Sequence, residues 1–277
     1  MVRARELTST QNPMVKLMRS LYTRRGRDKT GLVPVEGSRF VNEALLAARR
    51  GVTTIEALFY EAGFDEKSPQ QQALLETAGA CARQIFRCSP SIFRVLTDTE
   101  TPQGIAAAVT RPVFPHEPSS GRQSYLVVDR VQDPGNMGTI IRTAAAAGVN
   151  GVLCLKGTVD PFNPKTLRAT MGAVFRIPIT FYDSPQDLLD ELFRWGCRLI
   201  AADVDGDQYH FQADYSGSIA VIVGNEGQGI DPSLLSAAAI KVRIPLASGV
   251  ESLNAAVACG VLLYEAVRFR HLEADRR

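Results

Sequence analysis

Residues 125–148 read YLVVDRVQDPGNMGTIIRTAAAAG, and the fold class turns on them. Tyr125–Val131 is a near-continuous apolar run of strand length. Asp133-Pro134-Gly135 breaks it. Asn136–Ala147 then takes helical spacing and stops at Gly148. A strand apolar on both faces, followed within a few residues by a helix, is one βα unit of a parallel sheet. Asn136 stands where an N-cap would, and Arg142 lies inside the helix.

The same alternation continues downstream. Strands are predicted at Val152–Leu155, Ile177–Phe181, Leu199–Val204, Ala220–Val223 and Val242–Ile244. Helices are predicted over Pro164–Met171, from the Ser184 cap to Trp195, after Asp231-Pro232, and over Leu253–Phe269. Upstream, RPVFPHEPSSGRQ at Arg111–Gln123 favours extended backbone and marks a boundary. This gives an N-terminal domain at 1–112, a linker at 113–123 and a second domain at 124–277. In the first, a helix is expected from Pro13 to Arg24 behind an Asn12 cap, and Gly26 and Gly31 bound a polar turn. Leu32–Val35, Ile55–Tyr60 and Ile105–Val109 read as strands, and Phe40–Ala48 and Gln70–Ala80 as helices. The alternation makes it a small α/β domain.

At 277 residues with 45% hydrophobic and 22% charged, the chain suits two globular domains, and global disorder is excluded. No run of about 18 apolar residues exists, so no membrane span is expected. The N-terminus has charge without an apolar stretch behind it, which is not a secretory signal, and a cytoplasmic setting is the expectation. Cys81, Cys88, Cys154, Cys197 and Cys259 form no CxxC pair and read as reduced thiols. His116, His210 and His271 lack ligand spacing, so no metal is expected. Net charge is only +2, but residues 1–30 hold eight basic and two acidic side chains. Such a basic front end is either a phosphate-binding footprint or a solvated helix face.

Three segments sit where strands of a parallel sheet end, which is where such sheets bind ligands. They are DPGNMGTIIRTAAAAG at Asp133–Gly148, GNEGQGI at Gly224–Ile230 and IPLASGVESLNAAVACG at Ile244–Gly260. The first lacks the GxGxxG of a dinucleotide site, which disfavours a nicotinamide oxidoreductase. The glycines of the second allow close backbone approach to a ligand or simply a tight turn. Ser252 and Asn254 in the third read equally as helix caps.

In this order, NxGxxxRTA, GNEGQGI and IPLxxGVESLNAAVA resemble the three signature segments of the SpoU/TrmH family of RNA ribose methyltransferases, in the SPOUT superfamily. The resemblance covers about residues 124–277. Val35–Leu45, VEGSRFVNEAL, resembles that family's substrate-binding domain, and NPKTLRATMGAVFRIP at Asn163–Pro178 resembles a further family stretch.

The resemblance implies a C-terminal SPOUT α/β trefoil-knot domain with a mostly parallel sheet, plus a small N-terminal α/β RNA-binding domain. It implies S-adenosyl-L-methionine as cofactor, held at Gly224, Ile244 and Leu253, and a homodimer sharing its sites. It implies 2′-O-methylation of RNA. Two-domain layout favours ribosomal over transfer RNA; a transfer RNA enzyme or a catalytically silent RNA-binding protein of the same fold are the alternatives. Arg142 is the expected central catalytic residue. A guanidinium is a poor base, so its expected work is to grip the adjacent phosphate and stabilise the developing alkoxide. Asn136 would orient Arg142 or the ribose, Glu226 would fix Arg142 or the nucleoside, and Ser252 and Asn254 would shape the pocket. On this reading Arg3, Arg5, Lys16, Arg19, Arg24, Arg25, Arg27, Lys29 and Arg39 become phosphate contacts.

Overall fold

Short apolar strands alternating with capped helices build two separate sheets. The computed structural model describes residues 4–64, 68–114 and 121–274; Arg3, His116 and most of the 113–123 linker lie outside the described residues. By packing, the chain divides into Met1–Phe114 with Phe162–Arg176, and Pro115–Pro161 with Ile177–Arg277.

The first unit holds β1 (Arg5–Leu7), α1 (Pro13–Ser20), α2 (Arg24–Thr30), β2 (Leu32–Glu36), α3 (Ser38–Arg49), β3 (Ile55–Glu61), α4 (Pro69–Cys81), β4 (Ile85–Cys88), α5 (Pro90–Leu96) and β5 (Ile105–Thr110). Its sheet runs β1-β4-β3-β5-β2. Antiparallel β2–β5 and β3–β5 pairs join parallel β3–β4 and β1–β4 pairs. Pro34 is tolerated because β2 is an edge strand. Asn12, Ser68 and Ser89 each accept a backbone N–H ahead of a proline in the first helical turn, which fixes where α1, α4 and α5 begin.

Two expectations about the basic front end are corrected. Gly26 bounds no turn but sits inside α2, because a Cβ there would lie 2.0 Å from the Ser20 carbonyl oxygen. Only Gly31, at φ +69°, ends the helix. Arg27 is 2% exposed and donates to the Leu21 carbonyl at 3.0 Å, so its guanidinium closes the α1–α2 corner and offers nothing to a phosphate. Arg19, Arg24, Arg25, Lys29 and Arg39 are exposed.

The rest of the chain forms β6 (Ser124–Val128), α6 (Pro134–Ala146), β7 (Gly151–Leu155), α7 (Pro164–Thr170), β8 (Ile179–Tyr182), α8 (Pro185–Arg194), β9 (Arg198–Ala202), β10 (Gln208–Tyr209), β11 (Ile219–Val223), α9 (Pro232–Ala237), β12 (Ile240–Arg243) and α10 (Ala255–Ala274). The sheet runs β10-β12-β9-β11-β6-β7-β8, and every pairing is parallel. β6, β7 and β11 are buried along their whole length, which is why they read as unbroken apolar runs. From β6 the chain steps outward to β7 and β8, then crosses to the other side of β6. The β6–β11 boundary is therefore the switch point, where a crevice opens at the carboxyl ends of the strands.

α7 belongs to the first unit, where it packs against β2. The Arg176 guanidinium grips the Glu43 carboxylate, with donor distances of 2.7–3.1 Å. Arg50 donates to the Phe175 carbonyl at 3.4 Å, and the Phe40 and Phe175 rings sit 5.8 Å apart. Gly172, at φ +91°, passes so close that a Cβ would lie 2.6 Å from Glu43 Cγ.

Candidate active site

At the switch point, β6 ends in the buried carboxylate of Asp129, which is 1% exposed. It accepts two bonds from Arg130, at 2.8 and 3.0 Å, and the Asp231 backbone N–H at 2.7 Å. This pairing lifts the Arg130 guanidinium pKa further above its ordinary value, while the Ser233 hydroxyl and N–H, then Arg130, hold the Asp231 carboxyl low. Arg130 itself takes a left-handed φ of 56°, a strained conformation for a residue with a side chain. Its carbonyl is held by the Asn225 amide at 2.9 Å.

The loop after β11 is folded by Asn225 as well. Its Oδ1 accepts the N–H groups of Gly227 and Gln228, both at 2.9 Å, and its backbone pairs with Gly229. Gly224 is required by contact, since a Cβ there would lie 2.5 Å from the Gly229 carbonyl carbon. Asp129, Arg130 and Asn225 thus build the loop, yet none stood out in the sequence. Asn225 lay in plain view inside GNEGQGI.

Asn136 was expected as an N-cap, and the structure corrects this. Asp133 caps α6 by accepting the Asn136 N–H at 2.7 Å, with Pro134 opening the helix. The Asn136 side chain is thereby left for the site. Its amide donates to Glu226 Oε1 at 2.6 Å, and its Oδ1 accepts from Asn254 Nδ2 at 2.9 Å. Asn254 also caps α10, accepting the N–H groups of Ala256 and Val257. One amide therefore ties together all three segments singled out in the sequence. Arg142 is not drawn in: it is exposed on α6, and no hydrogen bond or ion pair joins it to another described residue.

Beside this junction lies a cavity of about 520 Å3, within the ~300–1,000 Å3 of a small-molecule site. Gly224, Ile244 and Leu253 line it, with Glu226 and Ser252 at its polar side. Apolar Ile244 and Leu253 suit an adenine face, and the glycines bare backbone groups for its edge. The carboxylates of Asp203, Glu226 and Glu251 suit a cationic ligand. Among the described residues, no group of three His, Cys, Asp or Glu side chains could hold a metal ion, and no helix is long and apolar enough to cross a membrane.

Residues 123–264 match the model of the SpoU rRNA Methylase family, and residues 12–107 that of the MRM3-like substrate binding domain. The 23S rRNA (guanosine(2553)-2′-O)-methyltransferase RlmP of Bacillus subtilis is 37% identical, covering 94% of this chain and 98% of that protein. An AdoMet-bound rRNA methyltransferase from Sinorhizobium meliloti superposes with a TM-score of 0.81 at 32% identity, over 96% of this chain and 98% of that one. The SpoU methyltransferase AviRb from Streptomyces viridochromogenes, in complex with AdoMet, gives 0.83 at 28% identity, over 94% and 99%. With its parallel switch-point sheet and its three joined segments, the chain belongs to the SpoU rRNA methylase family and has the SPOUT α/β fold.

Proposed function

We propose that this chain transfers the methyl group of S-adenosyl-L-methionine to a ribose 2′-hydroxyl of RNA, with ribosomal RNA as substrate. The observation that carries the reading is the Asn136 bridge between Glu226 and Asn254, at residues that enter or adjoin a cavity of cofactor size. Bound S-adenosyl-L-methionine supplies an electrophilic sulfonium methyl group. Gly224, Ile244 and Leu253 hold its nucleoside portion, and Ser252 donates from the same wall.

The chain's own task is to make a weakly acidic hydroxyl attack. Asn136 and Asn254 fix the Glu226 carboxylate at the cavity mouth, where it accepts from the target nucleoside. Arg142 grips the neighbouring phosphate bidentately and stabilises the alkoxide as the proton leaves through phosphate or water.

Arg142 acts in a site completed by a second copy of the chain, which accords with its lack of a partner among the described residues. α10 packs on α6 and turns one apolar face inward through Cys259, Leu262 and Leu263. Val257 and Tyr264, seven residues apart and about half exposed, form a second apolar stripe for a homodimer. Arg19, Arg24, Arg25, Lys29 and Arg39 of the first unit grip RNA phosphates without base preference. The enzyme works in the cytoplasm.

The test is labelled methyl transfer to total cellular RNA, followed by nucleoside mapping. Arg142→Ala is expected to lose about 100-fold or more of kcat/KM while still binding S-adenosyl-L-methionine in a calorimeter. Unmethylated RNA with the unaltered protein, or full turnover by the variant, refutes the reading.

A further inference from the structure

The first unit contains a cavity of its own, of about 240 Å3, lined by Arg39, Phe40, Thr101, Gln103, Arg168 and Met171 together with the Glu36 corner. It falls below the ~300–1,000 Å3 of a whole cofactor site, and so fits one base with a phosphate at its rim. Two cations face it from separate elements, Arg39 on α3 and Arg168 on α7. Neither makes a hydrogen bond or ion pair with another described residue. The carboxylate in the wall is already engaged. Glu36 accepts the Tyr22 hydroxyl, the Asp98 N–H at 3.2 Å and the Thr99 hydroxyl at 2.9 Å. The Tyr22 phenol is pushed up, chiefly by burial and then by Glu36, so it stays a neutral donor.

The remaining groups suit a base. Gln103 Oε1 takes the Ser38 N–H at 3.1 Å, which leaves its amide NH2 to donate to a carbonyl. Phe40 is buried, while Met171 is 40% exposed and polarisable, as an apolar side chain awaiting a flat partner would be. Met171 also holds a left-handed φ of 52°, a strain of about 1–2 kcal/mol for a residue that is not glycine. The Glu43–Arg176 pair and the close passage of Gly172 keep this strained turn in place.

We propose that this cavity is a second RNA subsite that takes one unpaired nucleotide of the substrate strand. Arg39 and Arg168 grip its phosphate, Phe40 and Met171 receive its base, and Gln103 donates to the base edge. Single-stranded RNA is read in this way, by splaying out bases against apolar or planar groups while guanidiniums hold the backbone. The inference rests on the reading of the chain as an RNA methyltransferase, and it adds a subsite within the first unit.

The test uses the full chain and in vitro transcribed 23S rRNA carrying 4-thiouridine. Irradiation and peptide mass spectrometry are expected to find a nucleotide on a peptide that holds Phe40, Thr101 or Met171. The double variant Arg39→Ala/Arg168→Ala is expected to raise KM for this rRNA about tenfold or more, with S-adenosyl-L-methionine affinity within twofold. Thr101→Trp, which fills the cavity and keeps both cations, is expected to raise KM likewise. Crosslinks confined to other peptides, or KM within twofold in both variants, overturn the proposal. So does uridine monophosphate that blocks crosslinking at micromolar concentration, which would mark a site for a free nucleotide. Crosslinking needs no turnover, so crosslinks in the cavity without any methyl transfer would refute the enzymatic reading and leave the subsite standing.

Discussion

Asn136→Ala separates positioning from folding in one side chain. The substitution removes a charge-assisted bond to Glu226 at 2.6 Å and a neutral bond from Asn254 at 2.9 Å. Such bonds contribute ~1.5–3 and ~0.5–1.5 kcal/mol respectively. Glu226 and Asn254 are exposed, so water replaces the lost partner and each figure belongs at the low end of its range. About 2 kcal/mol of positioning is lost, or ~30-fold in kcat/KM. Stability is untouched, because Asp133 caps α6 and Asn254 keeps its own bonds to α10. The assay is labelled methyl transfer to ribosomal RNA, beside a melting curve and cofactor calorimetry. Asn136→Asp adds a sign. It sets a second carboxylate against Glu226, so like-charge repulsion takes its kcat/KM below that of the alanine variant. A kcat/KM within threefold of the unaltered chain, or a melting midpoint several degrees lower, refutes the reasoning.

Gly172→Ala forces a Cβ to 2.6 Å from Glu43 Cγ at a φ of +91°, which costs about 2–4 kcal/mol. The first calorimetric transition is expected to drop by about 5 °C or more, and an unmoved transition would mean that the segment does not seat on α3. Asp214 is held down at about 2 by the Ser216 N–H, then the Arg198 guanidinium and the Ser216 hydroxyl. Its folded pKa lies below the unfolded value, so its stabilisation is present above about pH 4 and fades as pH falls towards 2. Asp214→Asn should therefore be less stable to urea at pH 7 and match the unaltered chain near pH 2; a gap independent of pH would count against this.

The parallel sheet was legible because β6, β7 and β11 are buried on both faces and so appear as unbroken apolar runs. Ser184 and Asp231 announced α8 and α9 by their side chains, and both do cap. β1 and β10, of three and two residues, carry too little pattern to be read, and β4 with α5 is a four-residue strand followed at once by a short helix. Arg27 shows the limit of counting charge. Eight basic residues near the N-terminus look alike in sequence, and only the Leu21 carbonyl reveals that this one is structural. The three site segments were visible, but the Asn136–Glu226–Asn254 junction was not. Spacing along a chain cannot say that the Asn136 amide will meet the Glu226 carboxylate 90 positions away and the Asn254 amide 118 positions away.

The return of residues 162–176 to the first unit has a practical consequence for anyone dissecting the protein. The backbone passes between the units three times, after residues 114, 161 and 176. One proteolytic nick leaves the two parts still tethered. A gene fragment stopping at residue 114 encodes a first unit stripped of Phe175 and Arg176, with the Phe40 side of α3 bared to solvent. A chimera that borrows this unit from a relative must transplant both stretches together, or it will graft a cut surface.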